Sequence, residues 1–570
     1  MCGIAGWFSP NQVQSIDKEL ESGIKNRGSD NFSSCRISHN HFQGSLLHSR
    51  LAIMDPVERS NQPFYKYSGN CCIVFNGEIY NFKQLRERLS KRHQIQFITE
   101  GDTEVIYEGI RVEGPGFLNL IDGEFSFFYL DLSRGCGLLG RDFFGKKPLS
   151  YSINNNVFKF SSNEKSLGSL ALSNLGLFSI FKIGYIPEGM ELFERVVSVS
   201  PGEFIEINLS NNSVAKSGFI SPVLDKISIW DSVHNSTDLQ TTSDVPIGLF
   251  LSGGFDSTMV AGILSDRDLN TYSFILNDIN SEEYLIDEWI REKGKGFNLQ
   301  KINSSEIDLE SILPEILSTV YRPTYDSSIV PTHCLTKLAK ESGVKVILTG
   351  IGGDEMFGGY NRYLKRRVLS QFDLSALSKM GEYINNETIY RLGDLDYDLA
   401  MSASLPNTLW MGCNLSVKSG AKEISRFLRH KPKGHNVKDM LNSDLFNYTV
   451  DLLHRQYDAI SLANDVEIRS PIISLPVYHS ILDTPAHNFF KKGVAKSLQK
   501  NIFSKYFNES QYLAGKSGFS GPITSWVGKH KLFFDHYSRN GFVNDNFKVH
   551  PTTDYDKWIL SCVNLWCEGL

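Results

Sequence analysis

The sequence lacks the features that would place it in several broad classes of protein. No apolar stretch approaches the roughly 20 residues that a membrane-spanning helix needs. No basic run or stripe occurs, and 58 Lys and Arg residues against 64 Asp and Glu residues give a net charge of −6. This balance argues against a nucleic-acid partner held by phosphate contacts. The N-terminus has no basic segment followed by an apolar one, so nothing indicates secretion.

Paired cysteines are also missing. The nine cysteines are scattered without a CxxC pair, and Cys562 and Cys567 have no partners at zinc-ligand spacing. We therefore expect a reduced, cytoplasmic protein whose thiols are mostly buried. At 570 residues the chain is too long for one hydrophobic core, so two to four domains are expected.

The first 205 residues contain short segments rich in aromatic and β-branched residues, which are typical of strands. Strands are predicted at residues 71–75, 124–130, 157–161 and 202–209, and helices at 83–90 and 103–111. Residues 210–225 include Asn211, Asn212, Ser213 and Pro222, which together predict a linker. The first domain is therefore predicted to span residues 1–210.

Beyond the predicted linker, strands alternate with helices. Residues 247–251 and 345–348 predict buried strands, and each is followed by a glycine-containing turn and a helical pattern. This alternation is typical of a parallel α/β sheet with crossover helices. From about residue 365 the pattern is mainly helical, so a second domain is predicted over residues 225–570.

Cys2 is a candidate nucleophile because methionine removal would leave its thiol beside a free α-amino group, which could act as the local base. A thiol suits attack on a carboxamide because part of it is already thiolate at neutral pH. On its own, however, Cys2 is better interpreted as an incidental small residue.

The loop Ser252-Gly253-Gly254-Phe255-Asp256-Ser257 follows a predicted buried strand and opens a predicted helix. Its glycines allow the backbone to approach an anion, and the N–H groups at a helix start face such a ligand. The two serines add hydroxyl donors, and Asp256 adds a carboxylate for Mg²⁺. A tight turn without a ligand is the alternative interpretation of this loop alone.

Several strings together resemble a known family. The N-terminal strings are Met1-Cys2-Gly3-Ile4, Arg27-Gly28-Ser29-Asp30, His48-Ser49-Arg50-Leu51-Ala52-Ile53, Asn76-Gly77-Glu78-Ile79-Tyr80-Asn81, Gly101-Asp102-Thr103-Glu104-Val105 and Gly140-Arg141-Asp142. In order and spacing they resemble the class II glutamine amidotransferase domain of asparagine synthetases. The second half resembles the synthetase domain of the same family, in Ser243-Asp244-Val245-Pro246, in the Ser252 loop, in Thr349-Gly350-Ile351-Gly352-Gly353-Asp354-Glu355 and in Val466-Glu467-Ile468-Arg469.

The resemblance implies an N-terminal Ntn-hydrolase αββα sandwich, followed by an α/β ATP-pyrophosphatase domain with a parallel sheet and a helical C-terminal part. It implies a carbon–nitrogen ligase that uses L-glutamine, ATP, Mg²⁺ and a carboxylate acceptor. Oligomeric state stays open, and a homodimer is compatible with the sequence.

For the first domain, the resemblance implies Cys2 as the nucleophile, with Asn76 and Gly77 forming an oxyanion hole. It implies that glutamine is bound by Arg50, Leu51, Ile53, Asn76, Gly77, Glu78 and Asp102. Arg50 suits the α-carboxylate, and Glu78 and Asp102 suit the α-ammonium. A hairpin turn at Asn76-Gly77 and a helix N-cap at Asp102 are structural alternatives.

For the second domain, the resemblance implies an ATP site formed by Phe250, Ser252, Gly253, Gly254, Asp256, Ser257, Leu276, Thr349 and Gly350. Asp256 and Asp354 would hold Mg²⁺, since carboxylates at adjacent strand ends form a hard-oxygen site. Lys496 would stabilise the charge that develops on the phosphates. The alternative for Lys496 is a solvated surface lysine.

The sequence departs from the family beside the acceptor. Asparagine synthetases carry a glutamate between the glycines of the second loop, and this chain has Ile351 there. Asp458-Ala459 replaces the usual Asp-Arg pair, and Ile473-Ser474 replaces Leu-Asp. We therefore expect amide formation through an acyl-adenylate, on a carboxylate that need not be aspartate. Authentic asparagine synthetase and a non-catalytic regulatory descendant are the alternatives.

Overall fold

The computed structural model describes residues 2–11, 16–168, 171–222, 226–276, 283–360, 363, 426–427, 437–514, 521–547, 551 and 553–570. The strands of the N-terminal part are β1 (Cys2–Ser9), β2 (Asn31–His39), β3 (Phe42–Arg50), β4 (Phe64–Lys66), β5 (Cys71–Ile79), β6 (Gly123–Asp131), β7 (Cys136–Arg141), β8 (Ser150–Asn154), β9 (Val157–Ser161), β10 (Val197–Ser198), β11 (Glu203–Asn208) and β12 (Ser213–Phe219). Its α-helices are α1 (Asp17–Ile24), α2 (Phe82–His93), α3 (Thr103–Glu113) and α4 (Asn174–Ile183).

These strands form two antiparallel sheets, in the orders β10-β8-β9-β1-β3-β2 and β12-β11-β7-β6-β5-β4. Side chains alternate between the two faces of a strand. In β1, Ile4 and Phe8 therefore pack against the other sheet, whereas Ala5 and Trp7 face the core that includes α1. Side chains of the second sheet alternate in the same way. In β5, Val74 packs between the two sheets, and Phe75 packs in the core that includes α2 and α3. The predicted αββα sandwich is confirmed.

The segment predicted as a linker is only partly a linker. Residues Ser213–Phe219 form β12, which pairs antiparallel with β11 at the edge of the second sheet. Its side chains are largely exposed, which is typical of an edge strand and explains why its sequence resembles a loop. The linker prediction was therefore wrong for β12.

The C-terminal part contains a parallel sheet and many helices. The elements between residues 229 and 357 are α5 (Ile229–Leu239), β13 (Ile247–Phe250), α6 (Phe255–Ile263), β14 (Leu269–Ile275), α7 (Glu283–Lys293), β15 (Phe297–Asn303), α8 (Leu309–Thr319), α9 (Ile329–Glu341), β16 (Val346–Leu348) and α10 (Gly353–Phe357). Then follow α11 (Val437–Ser443), a π-helix (Asp444–His454), α12 (Arg455–Ala463), β17 (Glu467–Arg469), α13 (Leu475–Leu482), α14 (Ser497–Ile502), α15 (Glu509–Leu513), α16 (Ile523–Lys529), α17 (Lys531–Tyr537), α18 (Phe542–Phe547) and α19 (Asp554–Glu568).

The sheet has the order β15-β14-β13-β16-β17, and every neighbouring pair is parallel. The central strands β13 and β16 are apolar and largely buried, as the sequence predicts for strands of a parallel sheet. The carboxyl ends of β13 and β16 are adjacent, and each leads into a glycine-containing turn and a helix. This edge is where open α/β sheets bind ligands.

The two parts meet through buried ion pairs. Arg322 of the C-terminal part contacts Glu164 of the N-terminal part at 2.7 Å and Asp451 at 2.6 Å. Arg455 contacts Glu188 at 2.8 Å. All five side chains are almost fully buried. Removing one member of such a network is expected to be costly, because it leaves an uncompensated buried charge.

Candidate functional sites

Cys2 begins β1 and lies opposite Arg50 of β3 in the antiparallel ladder. Its backbone nitrogen donates a hydrogen bond to Asn76 Oδ1 at 2.9 Å, and its carbonyl oxygen accepts one from Arg27 Nε at 3.1 Å. Burial raises the pKa of the Cys2 thiol, whereas Arg50 and a hydrogen bond from the Leu51 backbone act in the opposite direction. Burial outweighs these effects, so the neutral thiol is favoured in the free protein, and the expectation of an appreciable thiolate fraction at neutral pH was wrong.

The Arg50 guanidinium is buried and held by uncharged oxygens. It donates to the carbonyl oxygens of Val57 at 2.9 Å and Asp55 at 2.8 Å, and to Asn61 Oδ1 at 2.8 Å. Within the described part of the chain no carboxylate forms an ion pair with it. A buried, positioned cation without a counter-ion is suited to a carboxylate ligand.

Two carboxylates complete this pocket. Asp102 immediately precedes α3 but does not cap it, because its Oδ2 accepts a hydrogen bond from the Ile79 backbone at 2.8 Å. Burial raises the pKa of Asp102 to about 6. Burial also raises the pKa of Glu78 well above its ordinary value, and the charges of Asp102 and Glu467 raise it further. A ligand ammonium would favour the ionised form of both groups.

Asn76 and Gly77 lie within β5, so the hairpin-turn alternative does not apply. Gly77 has a φ of 150°, and a Cβ there would lie 2.1 Å from the Glu124 carbonyl oxygen. The Asn76 side chain uses its oxygen for Cys2 and its nitrogen for Ser126 Oγ at 3.4 Å. A small pocket is lined by Cys2, Arg50, Leu51, Ile53, Gly77, Glu78 and Asp102, which include every predicted glutamine-binding residue except Asn76.

The second site begins at the loop between β13 and α6. Ser252 and Ser257 hydrogen-bond each other through their hydroxyls at 3.0 Å, which closes the loop around Gly253, whose φ is 79°. Gly254 occupies the N-cap position of α6 without a side-chain cap, so N–H groups of the first turn are available to an anion.

Lys496 lies between the two predicted metal-binding aspartates. Its Nζ forms an ion pair with Asp256 and a second one with Asp354 Oδ1 at 2.7 Å. The side chain is buried, which excludes the solvated-surface alternative, and the neighbouring charges of Asp256 and Asp354 raise its pKa despite the opposing effect of burial. Two carboxylates that share one cation, each about one-fifth exposed, fit a site for Mg²⁺ with phosphate oxygens completing its coordination.

A cavity of about 730 Å³ extends from this loop. Its lining includes the predicted ATP-site residues Phe250, Ser252, Gly253, Gly254, Asp256, Ser257, Thr349, Gly350, together with Asp354 and Lys496. Leu276 follows β14 and is absent from this lining. Ile351 also lines the cavity, whereas Asp458 lies at the domain interface and forms an ion pair with Arg27 at 2.7 Å.

Sequence reasoning missed the residues that join the two sites. Arg27 was part of a family string without a role, and the structure places its guanidinium between the Cys2 carbonyl and Asp458. Arg469 was part of a family string without a role, and the structure places it 3.7 Å from Glu78. The one sequence signal for these two residues was an acidic residue nearby in the same string, Asp30 for Arg27 and Glu467 for Arg469.

A buried cysteine pocket on an αββα sandwich, followed by a glycine-containing loop at the carboxyl edge of a parallel sheet, fits a glutamine-dependent ligase. Comparison with known families agrees: residues 1–218 match the glutamine amidotransferase domain, and residues 229–541 match asparagine synthase. The chain therefore belongs to the asparagine synthase family, whose members use ATP.

Individual relatives have low sequence identity to this chain, but the matches cover most of its length. The chain is 27% identical to asparagine synthetase [glutamine-hydrolyzing] 1 of Bacillus subtilis, over 92% of this chain and 88% of the relative. It is 26% identical to the putative asparagine synthetase [glutamine-hydrolyzing] 2 of Methanocaldococcus jannaschii, over 64% and 76%. It is 25% identical to the amidase chry2 of Gibberella zeae, over 64% and 60%. Across the part of the chain that the structure describes, we found no helix with the length and apolarity to cross a membrane.

Proposed function

We propose that this protein converts a carboxylate into an amide through an acyl-adenylate, with ammonia released from glutamine. The observation that carries the proposal is the assembly of the second site. Two aspartates and a buried lysine meet beside a glycine-containing loop, in a cavity large enough for a nucleotide and a second substrate. Such a site suits ATP cleavage to AMP and pyrophosphate, and the thiol pocket supplies the nitrogen.

In the first domain, the α-amino group of Cys2 takes the proton of the thiol, and the resulting thiolate attacks the carboxamide carbon of glutamine. The new C–S bond gives a tetrahedral oxyanion, which Gly77 N–H and the Asn76 side chain stabilise. Ammonia leaves with a proton from the α-amino group, and water then cleaves the thioester to release glutamate. The hydrogen bond between the Cys2 nitrogen and Asn76 supports this assignment, because it would orient that amine after methionine removal.

Arg50 binds the α-carboxylate of glutamine, and Glu78 with Asp102 binds its α-ammonium. The absence of an acidic partner for Arg50 among the described residues supports the first contact. The raised pKa values of the two acids support the second, because a bound ammonium would relieve the cost of ionising them.

In the second domain, an oxygen of the acceptor carboxylate attacks the α-phosphorus of ATP and pyrophosphate leaves. Ammonia then attacks the acyl carbon, and AMP leaves as the amide forms. Asp256 and Asp354 would hold Mg²⁺, which neutralises phosphate charge. Lys496 contributes a second positive charge, and phosphate oxygens would replace one of its aspartate contacts when ATP binds.

We further propose that the acceptor is not free aspartate. Ile351 lines the cavity at the position where asparagine synthetases have a glutamate, and an isoleucine can neither accept a proton nor hydrogen-bond a second substrate. The second candidate is asparagine synthesis from aspartate, which is favoured by the names of the relatives from Bacillus and Methanocaldococcus.

A panel of carboxylates tests both candidates. The purified protein is incubated with Mg-ATP, glutamine and one carboxylate at a time, including aspartate and carboxylates of sugars and peptides, and AMP is measured. We expect AMP with a carboxylate other than aspartate. AMP formed with aspartate alone would establish the second candidate. The Cys2→Ala variant serves as the control, because it should form AMP and amide from ammonium chloride but no amide from glutamine.

A further inference from the structure

Arg469 ends β17 and is completely buried between the two domains. Its Nε contacts Glu467 Oε1 at 2.5 Å, and its Nη1 donates to the carbonyl oxygens of Gln240 at 2.8 Å and Thr242 at 2.7 Å. Three of its contacts thus anchor the guanidinium to the synthetase domain.

The remaining nitrogen of the guanidinium points across the interface. Nη2 lies 3.7 Å from Glu78 Oε1 in the glutamine pocket, and the guanidinium lies 5.5 Å from the centre of the Tyr80 ring. Nη2 is buried and makes no hydrogen bond among the residues that the structure describes. A closer, charge-assisted hydrogen bond to Glu78 is therefore open to it.

The backbone of the same residue supports the ATP loop. The Arg469 carbonyl oxygen accepts hydrogen bonds from Thr349 N at 3.0 Å and from Thr349 Oγ1 at 3.1 Å. The next residue, Gly350, packs so tightly against the first loop that a Cβ there would lie 2.5 Å from the Ser257 nitrogen. A shift of β17 would thus reach both loops of the ATP site.

We propose that Arg469 is a positioning residue that couples glutamine binding to the ATP loops, an inference that rests on the proposed function. When the ammonium of glutamine favours a charged Glu78, Nη2 closes on that carboxylate and draws β17 toward the glutaminase pocket. Thr349 follows because it is bonded to the Arg469 carbonyl. By reciprocity, ATP that fixes Thr349 strengthens glutamine binding by the same factor.

Calorimetric titration of the Cys2→Ala protein tests the coupling without turnover. The Kd for glutamine is measured with and without saturating Mg-ATP, and no acceptor is present. We expect Mg-ATP to tighten glutamine binding by about fivefold or more. In the Cys2→Ala, Arg469→Lys double variant the ratio should fall to about one, because lysine keeps the charge but cannot make the same set of contacts.

Equal Kd values in the parent protein, or an unchanged ratio in the lysine variant, would overturn the coupling while leaving the proposed function intact. Failure of the parent protein to bind glutamine or Mg-ATP would overturn both. Because these outcomes differ, the two proposals are tested separately.

A second measurement follows the charge of Glu78 through the pH dependence of glutamine hydrolysis. Among the described residues, the charged side chains that act on the pKa of Glu78 are Asp102 and Glu467, which raise it, and Arg469, which lowers it. Glu467→Gln removes a negative charge, so the acid limb of kcat/KM for glutamine hydrolysis should move to lower pH. Arg469→Gln removes a positive charge and should move this limb to higher pH. If the acid limb moved in the same direction in both variants, or did not move in Glu467→Gln, a charge contact between Arg469 and Glu78 would be contradicted.

Discussion

Asp102 illustrates how one buried carboxylate controls the glutamine pocket. Burial raises its pKa to about 6, so it loses its charge as the pH falls through that value. A neutral carboxyl cannot hold the ammonium of glutamine by charge. We therefore predict that kcat/KM for glutamine falls progressively below about pH 6, because the Asp102 carboxylate of the free enzyme becomes protonated. Glutamate release between pH 4.5 and 8 measures this limb.

The Asp102→Asn variant checks the assignment. Loss of a charge-assisted hydrogen bond costs about 1.5–3 kcal/mol, so KM for glutamine should rise about 10- to 150-fold. Asp131→Asn is the matched control, because Asp131 lies away from the glutamine pocket. Glu78 of the pocket pairs with Glu124 near the start of β6, whereas Asp131 is the last residue of β6. A KM that changes equally in both variants would show that Asp102 does not contact the substrate.

Among the secondary-structure elements, the glycine loops offer the sharpest test of the ATP site. A Cβ on Gly353, the first residue of α10, would lie 2.0 Å from Asp256 Oδ1. Gly353→Ala must therefore displace the Asp256 carboxylate. We predict that acceptor-dependent pyrophosphate release falls at least about tenfold, since misplacing a group at the reacting centre by about 1 Å can cost 100-fold.

Glutamine hydrolysis by the Gly353→Ala variant should be largely retained, because the substitution is remote from Cys2. Gly528→Ala in α16 is the control, since nothing lies within 4 Å of a Cβ built there. If Gly353→Ala released pyrophosphate at the parent rate, the position of the Asp256 carboxylate would not matter for ATP cleavage, and the proposed role of Asp256 would be wrong.

The elements also show which local structure the sequence could predict. Strands β5 and β6 were predicted because their aromatic and β-branched residues favour sheets, and the structure contains both. The sequence could not decide whether Asn76-Gly77 formed a turn, because the answer lies in their pairing with Ser126 and Phe125 of β6. It also gave no strand signal for β17, where a buried Glu and Arg replace apolar residues and compensate each other's charge.

For the whole molecule, the two-part architecture and most candidate residues of both sites were recoverable from motifs in chain order. The contacts between the two domains could not be predicted from these motifs. Lys147 contacts Glu124 at 3.0 Å and lies 3.8 Å from Asp458, yet these residues are 23 and 311 positions apart in the chain. No local pattern encodes such pairings, because Lys147 meets Glu124 only when the first domain folds and approaches Asp458 only when the two domains pack.

Arg322 tests whether this buried interface confines ammonia between the sites. Its contact with Glu164 links the two domains, and its contact with Asp451 lies within the C-terminal part. Arg322→Met removes the nearer cation from both buried carboxylates and leaves them, among the described residues, only Arg455, at 3.9 Å and 3.3 Å. We predict a loss of about 3–5 kcal/mol in the free energy of unfolding, measured by chemical denaturation. We also predict that glutamate is released in excess over AMP, because ammonia that reaches water is protonated and lost. Lys226→Met, which removes a surface ion pair with Asp483, should change neither quantity measurably. A ratio of glutamate to AMP that stays at the parent value in a clearly destabilised Arg322→Met protein would show that ammonia does not depend on a closed interface.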